Sequence, residues 1–157
     1  MIQQICFEDV LLNSAKEVFE TMIFMSVEQC PECVAVEGDS LLGSITFTGD
    51  IEGCMAIICD LNCAKTVACN MLAMDSEDEI SNEEIRDAMG EIANMVMGSI
   101  KANLIKQGAG NLDVSIPCVV SGKELTSSLG DDSHEVTIPV YIDESVAKIT
   151  LLYRMVS

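Results

Sequence analysis

The stretch SNEEIRDAMGEIANMVMGSIKANLIKQGAG, residues 81–110, decides how the chain is read. It opens on Ser81-Asn82-Glu83-Glu84, a capping box in which Ser81 and Glu84 satisfy backbone N–H groups reciprocally. It closes at Gly108-Ala109-Gly110, a helix stop. The spacing between them predicts one long helix reaching about Gln107. On a wheel turning about 100° per residue, Ile85, Met89, Ile92, Val96 and Ile100 gather on one side as a core face. Asp87, Glu91, Asn94 and Gly98 gather on the other, flanked by Met95 and Ala102. In a helix, Asn costs roughly several tenths of a kcal/mol relative to Ala, and Gly about 1. Core packing does not explain residues that face outward. Gly98 predicts a flat spot that another surface can approach closely, and Met95 an exposed apolar contact. The same face is also compatible with an ordinary solvated surface carrying a stray Asn and Gly.

The pattern extends in both directions. Residues 8–26 place Val10, Leu11, Val18, Met22, Ile23 and Met25 at helical spacing, with one end apolar all round. Extended structure follows. Leu41–Phe47 and Cys54–Cys59 are apolar runs joined through Thr48-Gly49-Asp50, which reads as an antiparallel hairpin. Residues 60–74 predict a helix with Ala64, Val67, Ala68, Met71 and Leu72 inward, and residues 75–78 an acidic loop. Beyond the long helix, Leu112–Val120 predicts a strand and residues 121–135 a polar loop. Val136–Ile142 and Ala147–Met155 predict strands around a turn at Asp143-Glu144-Ser145. Pro117 and Pro139 each follow Ile and mark edge or bulge positions, because Pro cannot donate to a ladder. The expected order is α-β-β-β-α-α-β-β-β. That order predicts an α+β fold, with helices packed on a mostly antiparallel sheet in one domain over residues 1–157.

Composition narrows the function. Apolar residues make up 49% and charged residues 22%, so the chain can bury a core. A net charge of −18 repels phosphate backbones and anionic lipid, and disfavours nucleic acid and membrane surfaces as partners. It favours partners with basic groups. No run approaches the roughly 18 apolar residues of a membrane span. The segment MIQQICFED lacks the basic and long apolar regions of a signal peptide, so the expected location is cytoplasmic.

The eight cysteines are expected mainly as small core hydrophobes in a reducing cytosol. Cys30-Pro31-Glu32-Cys33 has the spacing of a redox or zinc pair, but no second such pair completes four ligands. Cys59 and Cys63, with three residues between them, straddle a strand end and a helix start. His134 is expected as a solvated loop residue, without a ligand cluster. Ser121-Gly122-Lys123-Glu124 is not a phosphate-binding loop.

The outward polar positions form a longer pattern. Asp87-x3-Glu91-x2-Asn94-x22-Pro117 resembles the signature of the CheC/CheX/FliY phosphatase family: Asp or Ser, three residues, Glu, two residues, Asn, twenty-two residues, Pro. From average composition, a chance match in a chain this long is on the order of one in several hundred. A single copy of the motif and a length of 157 residues look most like the CheX branch. Asn13-x3-Glu17-x2-Glu20 repeats the spacing near the N-terminus. If it is a relic of a second copy, Glu20 replaces the Asn and that copy is expected to be inactive.

The resemblance implies a chemotaxis hydrolase of two-component signalling. Its partner would be a phosphorylated CheY-type response regulator, whose aspartyl phosphate it would hydrolyse. Asn94 would orient the attacking water and Glu91 would dock to the regulator's active-site Lys. Asp87, Met95 and Gly98 would belong to the partner-binding surface, and Pro117 would be structural. The resemblance further implies a homodimer with no metal or cofactor of its own, Mg²⁺ residing on the regulator. A non-catalytic module that binds a response regulator through the same face remains the alternative reading.

Overall fold

A computed structural model of the chain describes residues 5–31, 36–75, 79–123 and 132–156. Helix α1 (Phe7–Val18) leads through a π-helical turn (Phe19–Ile23) to strand β1 (Val27–Gln29). Strands β2 (Ser40–Gly49) and β3 (Ile51–Asp60) form the expected hairpin, followed by helices α2 (Leu61–Leu72) and α3 (Asn82–Lys106). Strands β4 (Leu112–Val114), β5 (Cys118–Gly122), β6 (His134–Ile142) and β7 (Ser145–Met155) complete the chain. Cys33 and most of the acidic loop and of the 121–135 segment lie outside the described residues.

The strands pair in the order β1-β6-β7-β3-β2, with β4 and β5 sharing the outer edge of β2, and every pairing is antiparallel. The single strand expected over Leu112–Val120 is therefore two strands. Their break falls at Ile116-Pro117, where the missing Pro N–H cannot feed the ladder. Ser115 bridges the gap. Its N–H donates to the Thr46 carbonyl at 2.9 Å, and its hydroxyl oxygen accepts the Thr46 N–H at 3.0 Å. Pro139 also stands at a boundary, where β1 ends, and its carbonyl accepts the Cys30 N–H at 2.9 Å.

Two further expectations need correction. The first helix does not run regularly to residue 26. It loosens into the π turn after Val18, and Phe24 ends it in the left-handed region at φ +63°. This buries Phe19 and Ile23 while leaving Met22 and Phe24 exposed, which accounts for a segment apolar on every side. His134 is not a loop residue. It opens β6 opposite Tyr153, and their rings stack with centroids 5.2 Å apart.

Alternation along the strands sets the core. Leu41, Ile45 and Phe47 of β2 join Met55 and Ile57 of β3 and Ile149 and Leu151 of β7 in one buried cluster with the helices. From α3 this cluster takes the expected Ile85, Met89, Ile92, Val96 and Ile100, and Met97 as well. Fully burying one such side chain contributes about 1.5–3 kcal/mol. Leu42, Ala56 and Leu152 are also buried but stand outside that cluster, on the alternate side of their strands. Gly43 sets the height of α3 over the sheet. A Cβ there would lie 3.2 Å from the Met89 carbonyl oxygen, so the helix backbone rests almost directly on β2.

Candidate functional site

Helix α3 is held along its length. At its start both halves of the predicted capping box form: the Ser81 hydroxyl accepts the Glu84 N–H at 3.1 Å, and Glu84 accepts the Ser81 N–H at 3.0 Å. The end comes at Lys106, before Gly108 at φ +105°. Arg86 ties the first turns to the sheet edge, donating to Ser121 Oγ at 2.6 Å and to the Val119 carbonyl at 3.3 Å. Farther along, α1 lies against the helix. Asn103 Nδ2 donates to Ser14 Oγ at 3.0 Å, and Ser99 Oγ donates to a Glu17 carboxylate oxygen at 2.8 Å.

On this fixed helix, Asp87, Glu91, Asn94 and Gly98 are all exposed. Glu91 and Asn94 are separated by about 4.5 Å along the axis, at 1.5 Å per residue. Among the described residues, neither has a hydrogen-bond or ion-pair partner. The carboxylate is left as a free acceptor, and the carboxamide offers a donor and an acceptor at one point. A Cβ on Gly98 would meet nothing within 4 Å, so the flat spot is real and open to solvent. Met95 differs from the expectation. It is half-buried and packs partly on the core.

Pro117 reaches this face from the sheet edge. With Arg86, Asp87, Gly90, Glu91 and Val119 it lines a shallow cleft of about 340 Å³. A Cβ on Gly90 would lie 3.8 Å from Pro117 Cγ and 3.6 Å from Val119 Cγ2, so helix and strand meet in ordinary contact there. The twenty-two-residue interval of the sequence pattern thus returns the chain to the flank of Glu91. Gly90 and Arg86 were not legible as lining this cleft. A Gly in mid-helix carries the same propensity cost that marks Gly98, and this was the available signal for Gly90. Arg86 has no such signal, since its role depends on where β5 lies.

The N-terminal set is arranged differently. Asn13, Glu17 and Glu20 are exposed, but Glu17 is held by Ser99, and Glu20 accepts the Val27 N–H at 3.4 Å from within the π turn. No group of three or more His, Cys, Asp or Glu side chains suited to a metal occurs among the described residues. None of the described helices is long and apolar enough to cross a membrane.

No curated protein matches this sequence. Among solved structures, the chain is similar to the chemotaxis protein CheX from Vibrio vulnificus. The two share 28% identity at a TM-score of 0.79, over 94% of this chain and 96% of that one. A CheC-like superfamily protein from Shewanella sp. PV-4 shares 27% identity at a TM-score of 0.74, over 94% and 97% of the two chains. The CheX of a CheX–CheY–BeF3–Mg²⁺ complex from Borrelia burgdorferi has the same fold. It shows 21% identity and a TM-score of 0.73, over 96% and 99% of the chains. The family profile described as chemotaxis phosphatase CheX matches residues 41–141, which include α3 and Pro117. By that match, the chain belongs to the CheX family.

Proposed function

We propose that the protein is a phosphatase of phosphorylated CheY-type response regulators and works through the exposed face of α3. One observation carries this reading: Glu91 and Asn94 project, exposed and unpartnered among the described residues, from a helix fixed on both flanks. Membership of a family described as chemotaxis phosphatases supports it. So does a fold relative crystallised with CheY.

Hydrolysis of an aspartyl phosphate needs alignment and charge stabilisation more than covalent chemistry. The regulator supplies the phospho-aspartate, its Mg²⁺ and a Lys. Glu91 pairs with that Lys and sets the docking register. The Asn94 carboxamide accepts from one water and holds it in line with phosphorus. As the water oxygen bonds to phosphorus, the bond to the aspartyl oxygen breaks, releasing phosphate and restoring the carboxylate. Asp87 borders the docking edge, and Gly98 with the exposed part of Met95 lets the regulator approach closely. The protein contributes no metal or cofactor in this scheme.

A homodimer belongs to the same reading, through strand pairing across an open edge. The terminal strand β7 is flanked by β6 and β3, so it offers no such edge. Among the described residues, the stretch His134–Ile138 of β6, beyond the reach of β1, does. Light scattering that shows only monomer at high concentration would remove this part.

The decisive experiment incubates the protein with phosphorylated CheY-type receivers from the same genome and follows phosphate release. Accelerated release, lost in Asn94→Ala, is the expected result. Binding of phospho-receiver without release would identify a docking module instead.

A further inference from the structure

We propose that Gly90 keeps open a socket for the side chain of the receiver's active-site lysine, in which Pro117 and Val119 pack the aliphatic stem and Asp87 shares the ammonium with Glu91. This rests on the reading of α3 as the docking face, and it names the part of that face that selects the partner. The socket is the cleft of about 340 Å³ that Asp87, Gly90 and Glu91 form with Arg86, Pro117 and Val119. One wall is helix and the other is the sheet edge. A Cβ on Gly90 would stand 3.6 Å from Val119 Cγ2, and 3.8 and 3.9 Å from Pro117 Cγ and Cβ. Those are ordinary van der Waals contacts, and Ala is the better helix former. Packing of helix on strand therefore does not require the glycine. What a methyl group would take is the base of the cleft.

The charges in the cleft favour a cation. Its lining holds two carboxylates, Asp87 and Glu91, and one guanidinium, Arg86. The guanidinium is engaged by β5, donating to Ser121 Oγ at 2.6 Å and to the Val119 carbonyl at 3.3 Å. Among the described residues, neither carboxylate has an ion-pair or hydrogen-bond partner, although that cation lines the same cleft. One negative charge is left over, which a single added cation balances. Asp87 and Glu91 stand one turn apart on one face, about 6 Å along the axis. A compact ammonium with three donors can bond to both. A planar guanidinium presents a fixed fork that suits one carboxylate. The stem of a lysine so held crosses Gly90 against Pro117 and Val119, as such stems cover apolar surface while the charged head stays among polar groups.

The strand wall is fixed on both sides of the cleft. Before Pro117, Ser115 is bonded twice to Thr46, at 2.9 and 3.0 Å. After it, Arg86 holds Val119 and Ser121. The width of the socket is thus set before the receiver arrives, which lowers the cost of ordering on binding. Gly90, Pro117 and Val119 act as positioning residues, and the docking register is set by two carboxylates and a floor instead of by Glu91 alone.

The test is a double-mutant cycle on equilibrium binding. One receiver carries a stable phosphoryl mimic, and a second also has its active-site lysine replaced by alanine. The full chain is titrated against both as wild type, Gly90→Ala, Asp87→Asn and Glu91→Gln. Gly90→Ala should melt at or above the wild-type temperature, yet bind the lysine receiver about tenfold more weakly, the effect of one carbon in a fitted pocket. Asp87→Asn should bind it about threefold more weakly. Toward the alanine receiver both losses should largely vanish, since neither stem nor ammonium is there to meet the change. If either variant loses nothing, or loses equally toward both receivers, while Glu91→Gln still depends on the lysine, the socket is overturned and the docking face stands. A lower melting temperature for Gly90→Ala also overturns the socket, because the glycine is then required by the packing. No binding by the wild type, or a Glu91→Gln loss that ignores the lysine, overturns the docking face and the socket with it.

Discussion

The guanidinium of Arg86 meets the hydroxyl of Ser121 at 2.6 Å and bridges the long helix to the outermost strand of the sheet. A second bond, to the Val119 carbonyl at 3.3 Å, spans the same gap. Arg86 is exposed, so water competes for both contacts, and their net contribution is about 1 kcal/mol. Arg86→Ala is expected to lower the melting temperature by about 2–4 °C in a chain of this size. Calorimetry of the two proteins measures it. No change would show that α3 and β5 are held together by Gly90, Pro117 and Val119 alone.

The contact between α1 and α3 has a larger consequence. Ser14 is fully buried, and the Asn103 carboxamide donates to its hydroxyl. Asn103→Ala leaves that hydroxyl without its donor in the interior, at a cost of about 1–3 kcal/mol. Ser14→Ala together with Asn103→Ala removes both partners and should cost less than the two single changes added. Denaturant unfolding of the four proteins gives the coupling. Strict additivity would show that the bond contributes nothing.

Gly98 separates folding from docking. It sits in mid-helix with open space where a Cβ would be. Gly98→Ala should stabilise the protein by up to about 1 kcal/mol through helix propensity. Gly98→Phe should fold as well but place a ring where the regulator approaches, weakening receiver binding at least about tenfold, or 1.4 kcal/mol. Titration against a receiver carrying a stable phosphoryl mimic reads this effect. Equal affinity for Gly98→Phe and wild type would take Gly98 out of the docking surface.

The second motif-like set gives a negative prediction. Glu20→Asn supplies the missing Asn of the Asn13-x3-Glu17-x2 set, yet Glu17 is already bonded to Ser99 and residue 20 lies in the π turn beyond α1. Phosphate release by the Asn94→Ala, Glu20→Asn double variant should match that of Asn94→Ala alone. Recovered turnover would mean that α1 carries a latent site despite these contacts.

What the sequence made legible was local. Ser81 and Glu84 act on each other within one turn, and Gly108 ends a helix by its own backbone freedom, so both ends of α3 could be read directly. The wheel separated Ile92 from Glu91 because a helix of 25 residues repeats its period many times. Three of the misses depend on residues distant in sequence. Met95 is half-buried because it packs against a core assembled from several elements. The strand expected through Ile116 breaks at Pro117, and what the sequence did not hold is the bridge across that break, where the Ser115 hydroxyl takes the N–H of Thr46, 69 residues away. His134 leaves the loop because Tyr153 provides a ring to stack on. Propensity and periodicity do not contain such pairings. For Asp87, Glu91, Asn94 and Gly98 the local signal sufficed, since exposure on a long helix is a property of spacing.

Glu91 and Asn94 should fail in different ways. Asn94→Ala keeps the fold, because the side chain is exposed and Ala is the better helix former. Docking survives through Glu91, while the water is no longer held in line, so the loss should fall on kcat with KM little changed. On the proposed docking, Glu91→Ala should remove a charge-assisted contact worth about 1.5–3 kcal/mol at a desolvated interface. It should raise KM and weaken binding of the phosphoryl-mimic receiver about tenfold or more, by the relation of 1.4 kcal/mol per decade. Glu91→Gln keeps the shape and loses the charge, and should resemble Glu91→Ala if the partner group is a cation. High salt should narrow the gap between wild type and both Glu91 variants, because it screens the pair they lack. Steady-state phosphate release and equilibrium binding on one receiver separate these effects. A wild-type rate from Asn94→Ala would end the proposed mechanism and leave the CheX family membership intact.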